Sequence, residues 1–412
     1  MRSWLVILGG LLAHAPSVWA ETLAVTHVKA WTLTSSEPVE NATIVITDGK
    51  ITSVLAGGPV PPGARAVDAK GRQATPGLVH AATHLGLLEV SNATETVDTG
   101  VKSGSLGAAF DVQYGINANS TLIQLARADG VSRAITYPVH SGGAPFAGSG
   151  VLLRLKDSSE LVERAPIGVF AVIGGRTSAD VGGSRAAQWQ LLRVALDAAK
   201  VGLAAPASPT TRTPDFLALQ PVLAGRIPLA LSVERESDIR QAIALGADYS
   251  LKIVIIGGAE AWRAADALAA AKIPVVLDPE VNLPTAFDEL GARLDNAALL
   301  HRAGVKVAVV VIANGIHQSY NAGLSMRIGA GLAVANGLPY IEGLRSITAT
   351  PAQIWGLGER CGTLASGSDA DLVIWDGDPL EPSTLPVTVL VAGKEMSLVT
   401  HQTRLRDRYR RP

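Results

Sequence analysis

Between Gly168 and Ala313 the chain repeats one pattern: a short aliphatic, β-branched run followed by an alanine-rich stretch. The runs are GVFAVIGG (Gly168 to Gly175), IPLALSV (Ile227 to Val233), LKIVIIGG (Leu251 to Gly258), IPVVLD (Ile273 to Asp278) and VKVAVVVIA (Val305 to Ala313). Strands that are apolar on both faces must be covered on both faces, and strands alternating with helices build a parallel sheet. The regular strand-helix spacing predicts an α/β fold with a closed (β/α)8 barrel of the TIM type rather than an open sheet. No GxGxxG or GxxxxGK[ST] loop occurs to support a nucleotide-binding alternative.

The two ends read differently. ATIVITDGKITSVL, Ala42 to Leu55, is two β-rich runs joined by Asp48-Gly49, a strong hairpin signal. Gly362 to Leu380 and Val387 to Val399 are again short strands with Gly and Asp turns. Neither end holds enough apolar surface to stand alone, so both are expected to join in one small β-sandwich domain. The acidic run DADLVIWDGD, Asp369 to Asp378, lacks the regular ligand spacing of a calcium loop and reads as strand plus turns of that domain.

The expected organisation is an export leader over 1–20, the first part of the β domain over 21–75, the barrel over 76–358, the second part of the β domain over 359–400 and a basic, solvated tail over 401–412. The leader reading rests on Arg2, the apolar stretch Trp4 to Leu12 and the small residues Val18 and Ala20 before Glu21. It implies an exported, periplasmic protein without a membrane span after cleavage, since no later stretch reaches ~20 uninterrupted apolar residues. With 35 Lys and Arg against 36 Asp and Glu there is no basic surplus for nucleic acid. Hydrophobic residues make up 48% of the chain, and Cys361 is the only cysteine. Stability must therefore come from a large core rather than from an internal disulfide.

PGLVHAATHLG (Pro76 to Gly86), SDADLVIWDGDPL (Ser368 to Leu380) and VLVAGKEM (Val389 to Met396) occur in the order seen in the amidohydrolase superfamily. Arg293 to Val309 and Ala333 to Leu357 are similar to that family's last barrel segments and final helices. The chain resembles the exported imidazolonepropionase-like and dihydroorotase-like members over nearly its whole length after the leader. The resemblance implies metal-dependent hydrolysis of carbon-nitrogen bonds other than peptide bonds. One or two divalent ions, usually zinc, lower the pKa of a bound water whose proton goes to an aspartate.

The same resemblance implies a ligand set that this chain lacks in large part. The His-x-His pair after the first strand falls on Ala82 and His84, with His80 where the family carries aspartate. Residues two apart in a strand share a face roughly 6.6 Å apart, whereas four apart means about 13 Å, so His80 does not substitute for position 82 in a straight strand. Arg176 follows the fourth strand, Ser232 the fifth, Gly257 and Gly258 the sixth, and Asn314 and Gly315 stand where the last-strand aspartate belongs. Serine and glycine supply neither charge nor a good donor to a dication.

Two expectations of different class follow. In the first the protein keeps the fold without the chemistry, needs no cofactor, and serves as a partner of an active relative, in self-association, or as a binding protein for a small molecule that the sequence does not identify. In the second, a relocated zinc site is assembled at the barrel mouth from His84, His140 after the third strand, Glu234, Asp278 and His317, with Glu89 nearby, and hydrolysis of cyclic amides or related compounds persists.

Overall fold

Asp48 and Gly49 both adopt positive φ, 49° and 72°. They close a two-residue turn whose twist matches the flanking strands. The turn joins β2 (Val39–Thr47) to β3 (Lys50–Ala56), and β1 (Thr22–Ala30) pairs with β2 on its other side. The computed structural model describes residues 21–101, 104, 106–175, 177–204, 213–312 and 319–410. The expected leader over 1–20, Arg176, Asn314, Gly315 and His317 lie outside the described residues.

β4 (Arg65–Asp68) and β5 (Gln73–Pro76) run parallel to β1, and β5 takes β14 (Leu372–Trp375) as its antiparallel neighbour from the other end of the chain. β15 (Pro386–Val391) and β16 (Lys394–Glu395) extend that edge. The sheet then curls until its ends meet: Ala370 N donates to Gly49 O at 2.8 Å, and Gly393 abuts Gly49. Leu23, Ile44 and Ile46 from the first part and Leu372, Ile374 and Leu390 from the second share one buried cluster. The small β domain is thus composite, as the two end patterns predict.

The barrel sheet uses eight strands in chain order. They are β6 (Leu78–Thr83), β7 (Val131–Thr136), β8 (Phe146–Arg154), β9 (Val162–Val172), β10 (Leu229–Val233), β11 (Ile253–Gly257), β12 (Val275–Leu277) and β13 (Val307–Val309). All neighbours are parallel except β7–β8 and β8–β9. Two hairpins therefore replace two helical crossovers, a departure from strict (β/α)8 alternation. One consequence corrects the expected position of His140: it follows the second barrel strand, not the third.

Two apolar layers fix the barrel. Val79, Ala82, Ile135, Ala230, Val254 and Val276 belong to the cluster that fills it, while Leu229, Leu231, Ile253 and Ile255 face the surrounding helices with Leu192, Leu245 and Leu268. That alternation is the period-two geometry of a strand covered on both sides. The helix Arg185–Ala204 follows β9 on the outside of the barrel and contributes Leu192 and Leu196 to the outer layer. The basic tail forms an exposed helix, His401–Tyr409, opened by a Thr400–Thr403 capping box. No helix among the described residues is long and apolar enough to cross a membrane.

Candidate functional site at the barrel mouth

The carboxyl ends of the seven parallel strands, together with the amino end of the antiparallel β8, form the face where barrel chemistry is sited. Ala82 and His84 lie at the end of β6, both buried, Ala82 completely and His84 8% exposed. The His84 ring packs on Tyr137 at 5.0 Å, Tyr137 stacks on Phe170 at 5.0 Å, and Phe170 stacks on Trp355 at 5.6 Å. These four rings form a column through the barrel, each contact contributing about 0.5–1.5 kcal/mol beyond area burial. Sequence reasoning missed Tyr137, Phe170 and Trp355, because nothing local marks which aromatic residues a barrel turns inward.

His80 and His84 are both held neutral. Burial, and secondarily the nearby His84, pushes His80 down to about 3, and burial pushes His84 down to about 4. His80 Nδ1 and His84 Nε2 find no hydrogen-bond partner among the described residues. His80 pairs with Ala134, and the register of β6 on β7 breaks between His80 and Thr83. The regular alternation that would align positions 80 and 82 is therefore interrupted.

Glu234, just past β10, turns its carboxylate over Gly257 at the end of β11, filling the space a side chain there would need. Its Oε2 accepts from Ala259 N at 2.8 Å. Burial of that carboxyl, joined by the like charges of Glu289, Asp278 and Asp288, pushes its pKa up to about 8 and outweighs the Ala259 bond. The residue as a whole stays part-exposed. Asp278 Oδ1 accepts from Glu280 N at 2.9 Å and Oδ2 from Ile312 N at 2.7 Å. At the tip of β9, Gly175 N donates to Asp288 Oδ2 at 2.8 Å, and Arg185 pairs with the same carboxylate.

The remaining candidates stand apart. Ser232 is a part-exposed member of β10 whose carbonyl accepts from Ile173 N at 3.0 Å. His140 is exposed and borders a separate cavity of about 210 Å³ with Ser141, Thr177, Asp180 and Gln188. Glu89 accepts from Thr121 Oγ1 at 3.2 Å in a peripheral loop.

A zinc ion needs nitrogen, sulfur or oxygen donors converging at roughly 2.0–2.3 Å. Ala82 and Gly257 bring none, and the Asp278 and Glu234 carboxylates already accept backbone N–H groups. No group of three or more His, Cys, Asp or Glu among the described residues is placed to hold a metal ion. The described donors do not fit the metal centre that the resemblance implies.

A second ionic centre lies at the seam with the β domain. Arg133 on β7, 0% exposed, pairs with Asp369, Asp371 and, at 3.1 Å, Glu163, and Arg154 reaches Asp371 at 2.9 Å. Burial opposes the Arg133 charge, but these carboxylates outweigh it and raise its pKa. Asp369 is held below its ordinary value: burial works the other way and is overcome by the hydrogen bond from Lys50 and the charges of Arg154 and Arg133. The acidic run thus binds arginines of the barrel.

A sequence profile described as the amidohydrolase family matches residues 227–398. The chain is 47% identical over 57 residues to amidohydrolase tasK of Hapsidospora irregularis, a match spanning 14% of this chain and 6% of that protein. It is 27% identical over 397 residues to the imidazolonepropionase of Mesorhizobium japonicum, covering 82% of this chain and 87% of that one. A shorter match to the imidazolonepropionase of Sphingopyxis alaskensis is 36% identical over 91 residues and spans 22% of each chain. Among solved structures, an amidohydrolase from Thermotoga maritima superposes with a TM-score of 0.82 at 24% identity, covering 91% of this chain and 99% of that one. The composite β domain, the eight-stranded barrel and these likenesses agree: the chain has the fold of the amidohydrolases it resembles, and its residues 227–398 match that family's profile.

Proposed function

We propose that this chain keeps the amidohydrolase barrel as a binding scaffold without its metal-dependent chemistry, working as a non-catalytic partner of an active relative or as an exported binding protein. The observation that carries the reading is Ala82, fully buried in the apolar cluster of the barrel where the family's first metal-binding histidine belongs. A methyl group there removes a ligand, and the aromatic column beside it fills the interior with rings. A barrel's packed core is independent of the chemistry borne on its loops and outlasts it. Hydrolysis assays on cyclic amides and related carbon-nitrogen substrates, run with added zinc, test the reading: no turnover above buffer is expected, and turnover abolished by Glu234→Gln overturns it.

That last variant is chosen because one observation favours the alternative, a hydrolase with a rebuilt centre. A carboxyl whose pKa is pushed up to about 8 is poised for proton transfer near neutrality, and Glu234 stands at strand ends beside the charge of Asp278. In that reading zinc, if used, would be bound by a relocated set drawn from His84, His140, Glu234, Asp278 and His317.

A further inference from the structure

At the opposite end of the barrel, where the parallel strands begin, the chain leaves a cavity of about 590 Å³. Five of the residues lining it are cations, Arg164, Arg226, Lys252, Lys272 and Lys306, with no aspartate or glutamate among them. The whole chain carries 35 basic and 36 acidic side chains, so a one-sign lining is a product of topology rather than composition. Lys252 stands immediately before β11, Lys306 immediately before β13, and Lys272 in the turn leading to β12. Successive helix-to-strand connections thus deliver one base each to the same rim, which a linear reading of scattered lysines does not reveal. All five are exposed, and none forms a salt bridge with a described residue.

Below the rim the wall changes character. Ile227, Val254, Ile273, Val305 and Ile354 line it, and Trp355 is part of the lining. Trp355 is only 2% exposed, and its Nε1 finds no hydrogen-bond partner among the described residues. A buried indole N–H left unpaired costs free energy until something accepts from it. Arg164, whose Nη2 donates to the Trp355 carbonyl, has its pKa lowered by burial and, against the attraction of Glu163, by the charge of Arg360. An anion entering among these cations offsets a lining that carries no carboxylate. Concave sites of about 300–1,000 Å³ with apolar walls and a few polar groups are the usual form of small-molecule sites.

We propose that this basal cavity binds a small organic acid, an apolar body with an anionic carboxylate or phosphate-ester head, its body against Ile273, Val305 and Trp355 and its head among Lys252, Lys272 and Lys306. The site lies at the far end of the barrel from Ala82, His84 and Glu234, so it stands whichever reading of the mouth holds. Cations beside helix carboxyl termini also offset the helix dipole. That role alone explains the charges without any ligand, and it is the competing account.

Calorimetric titration of the full chain at low salt with octanoate, octylammonium and inorganic phosphate separates the two. The expected result is saturable one-to-one binding of octanoate, with octylammonium inert and phosphate at least tenfold weaker. Lys252→Glu with Lys306→Glu should weaken octanoate at least tenfold with the melting temperature unchanged; if that pair unfolds the chain, Lys252→Gln with Lys306→Gln should weaken it about threefold, by losing two attractive charges instead of reversing them. Absent octanoate binding, equal affinity in the variant, or octylammonium binding as tight as octanoate overturns the proposal. Phosphate binding as tight as octanoate removes the apolar body from it and likewise overturns it. Co-sedimentation with phosphatidylglycerol vesicles in place of soluble octanoate binding would show a lipid surface as the anion's source and overturn the small-molecule site.

Discussion

The carboxylate of Glu234 occupies the space in which a side chain at Gly257 would stand, so the two positions specify each other across β10 and β11. Gly257 also adopts φ +90°, outside the range L side chains favour. Gly257→Ala is expected to destabilise the fold by about 1–3 kcal/mol through overpacking and backbone strain. Glu234→Ala in the same chain should recover the overpacking part and leave the strain. Urea unfolding of the four members of this cycle measures the coupling, and strictly additive effects would mean that the carboxylate lies elsewhere.

Stability should pass through a maximum near pH 6.5. His80 and His84 titrate near 6.5 when unfolded but are pushed down to about 3 and about 4 when folded. Their contribution is therefore present above pH 6.5 and lost as pH falls toward 4. Glu234 has the opposite sign: pushed up from 4.5 to about 8, it contributes fully below pH 4.5 and loses that contribution as pH rises toward 8. Two groups oppose one below pH 6.5, and the glutamate acts alone above it. Melting temperature against pH should show both limbs, and Glu234→Gln should flatten the one between pH 6.5 and 8; a parallel decline in the variant would sink this assignment.

Arg133 joins the barrel to the β domain through Asp369 and Asp371, so removing it takes the most buried cation from two buried carboxylates and leaves them Lys50, Arg154 and Arg360. Arg133→Met is expected to cost about 3–5 kcal/mol, much of it regained when Asp369→Asn and Asp371→Asn are added. A chain ending before Gly362 loses those carboxylates together with β14 to β16, and β5 loses its antiparallel neighbour. Its N-terminal strands should unfold at lower denaturant than in the intact protein. Coincident unfolding curves for the truncated and intact chains would contradict a shared domain.

The strands with continuous aliphatic runs, β9 to β13, were legible because each is covered on both faces, and Asp48-Gly49 was legible because its turn demands those residues. β8 was not. Its segment FAGSGVLLR carries Gly148 and Gly150, which look like loop residues. The reason lies elsewhere in the chain: a Cβ on Gly150 would meet the Phe170 ring, and Gly148 sits at φ +126° against the Phe110 carbonyl. Ala82, Ser232 and Gly257, at positions where the resemblance implies metal ligands, were readable one by one, whereas the burial of His84 and the partners of Arg133, 236 and 238 residues away, depend on the fold itself.

If the leader reading holds, protein recovered from the native periplasm begins at Glu21. Intact-mass measurement reads this directly, and residues 1–20 still attached would overturn the proposed export.

Ala82 ties the account together, because restoring a single ligand should not restore a centre whose other donors are absent. Ala82→His is expected to leave the protein without hydrolytic activity, since positions 232, 257 and 314 remain Ser, Gly and Asn. The most direct measurement is the metal content of protein grown with ample zinc, repeated for His84→Ala and His140→Ala. Well under one zinc per chain, with a melting temperature indifferent to chelators, is the predicted result. Stoichiometric zinc that is lost in either variant, with stabilisation of about 2.7 kcal/mol at a hundredfold excess over the dissociation constant, would contradict it.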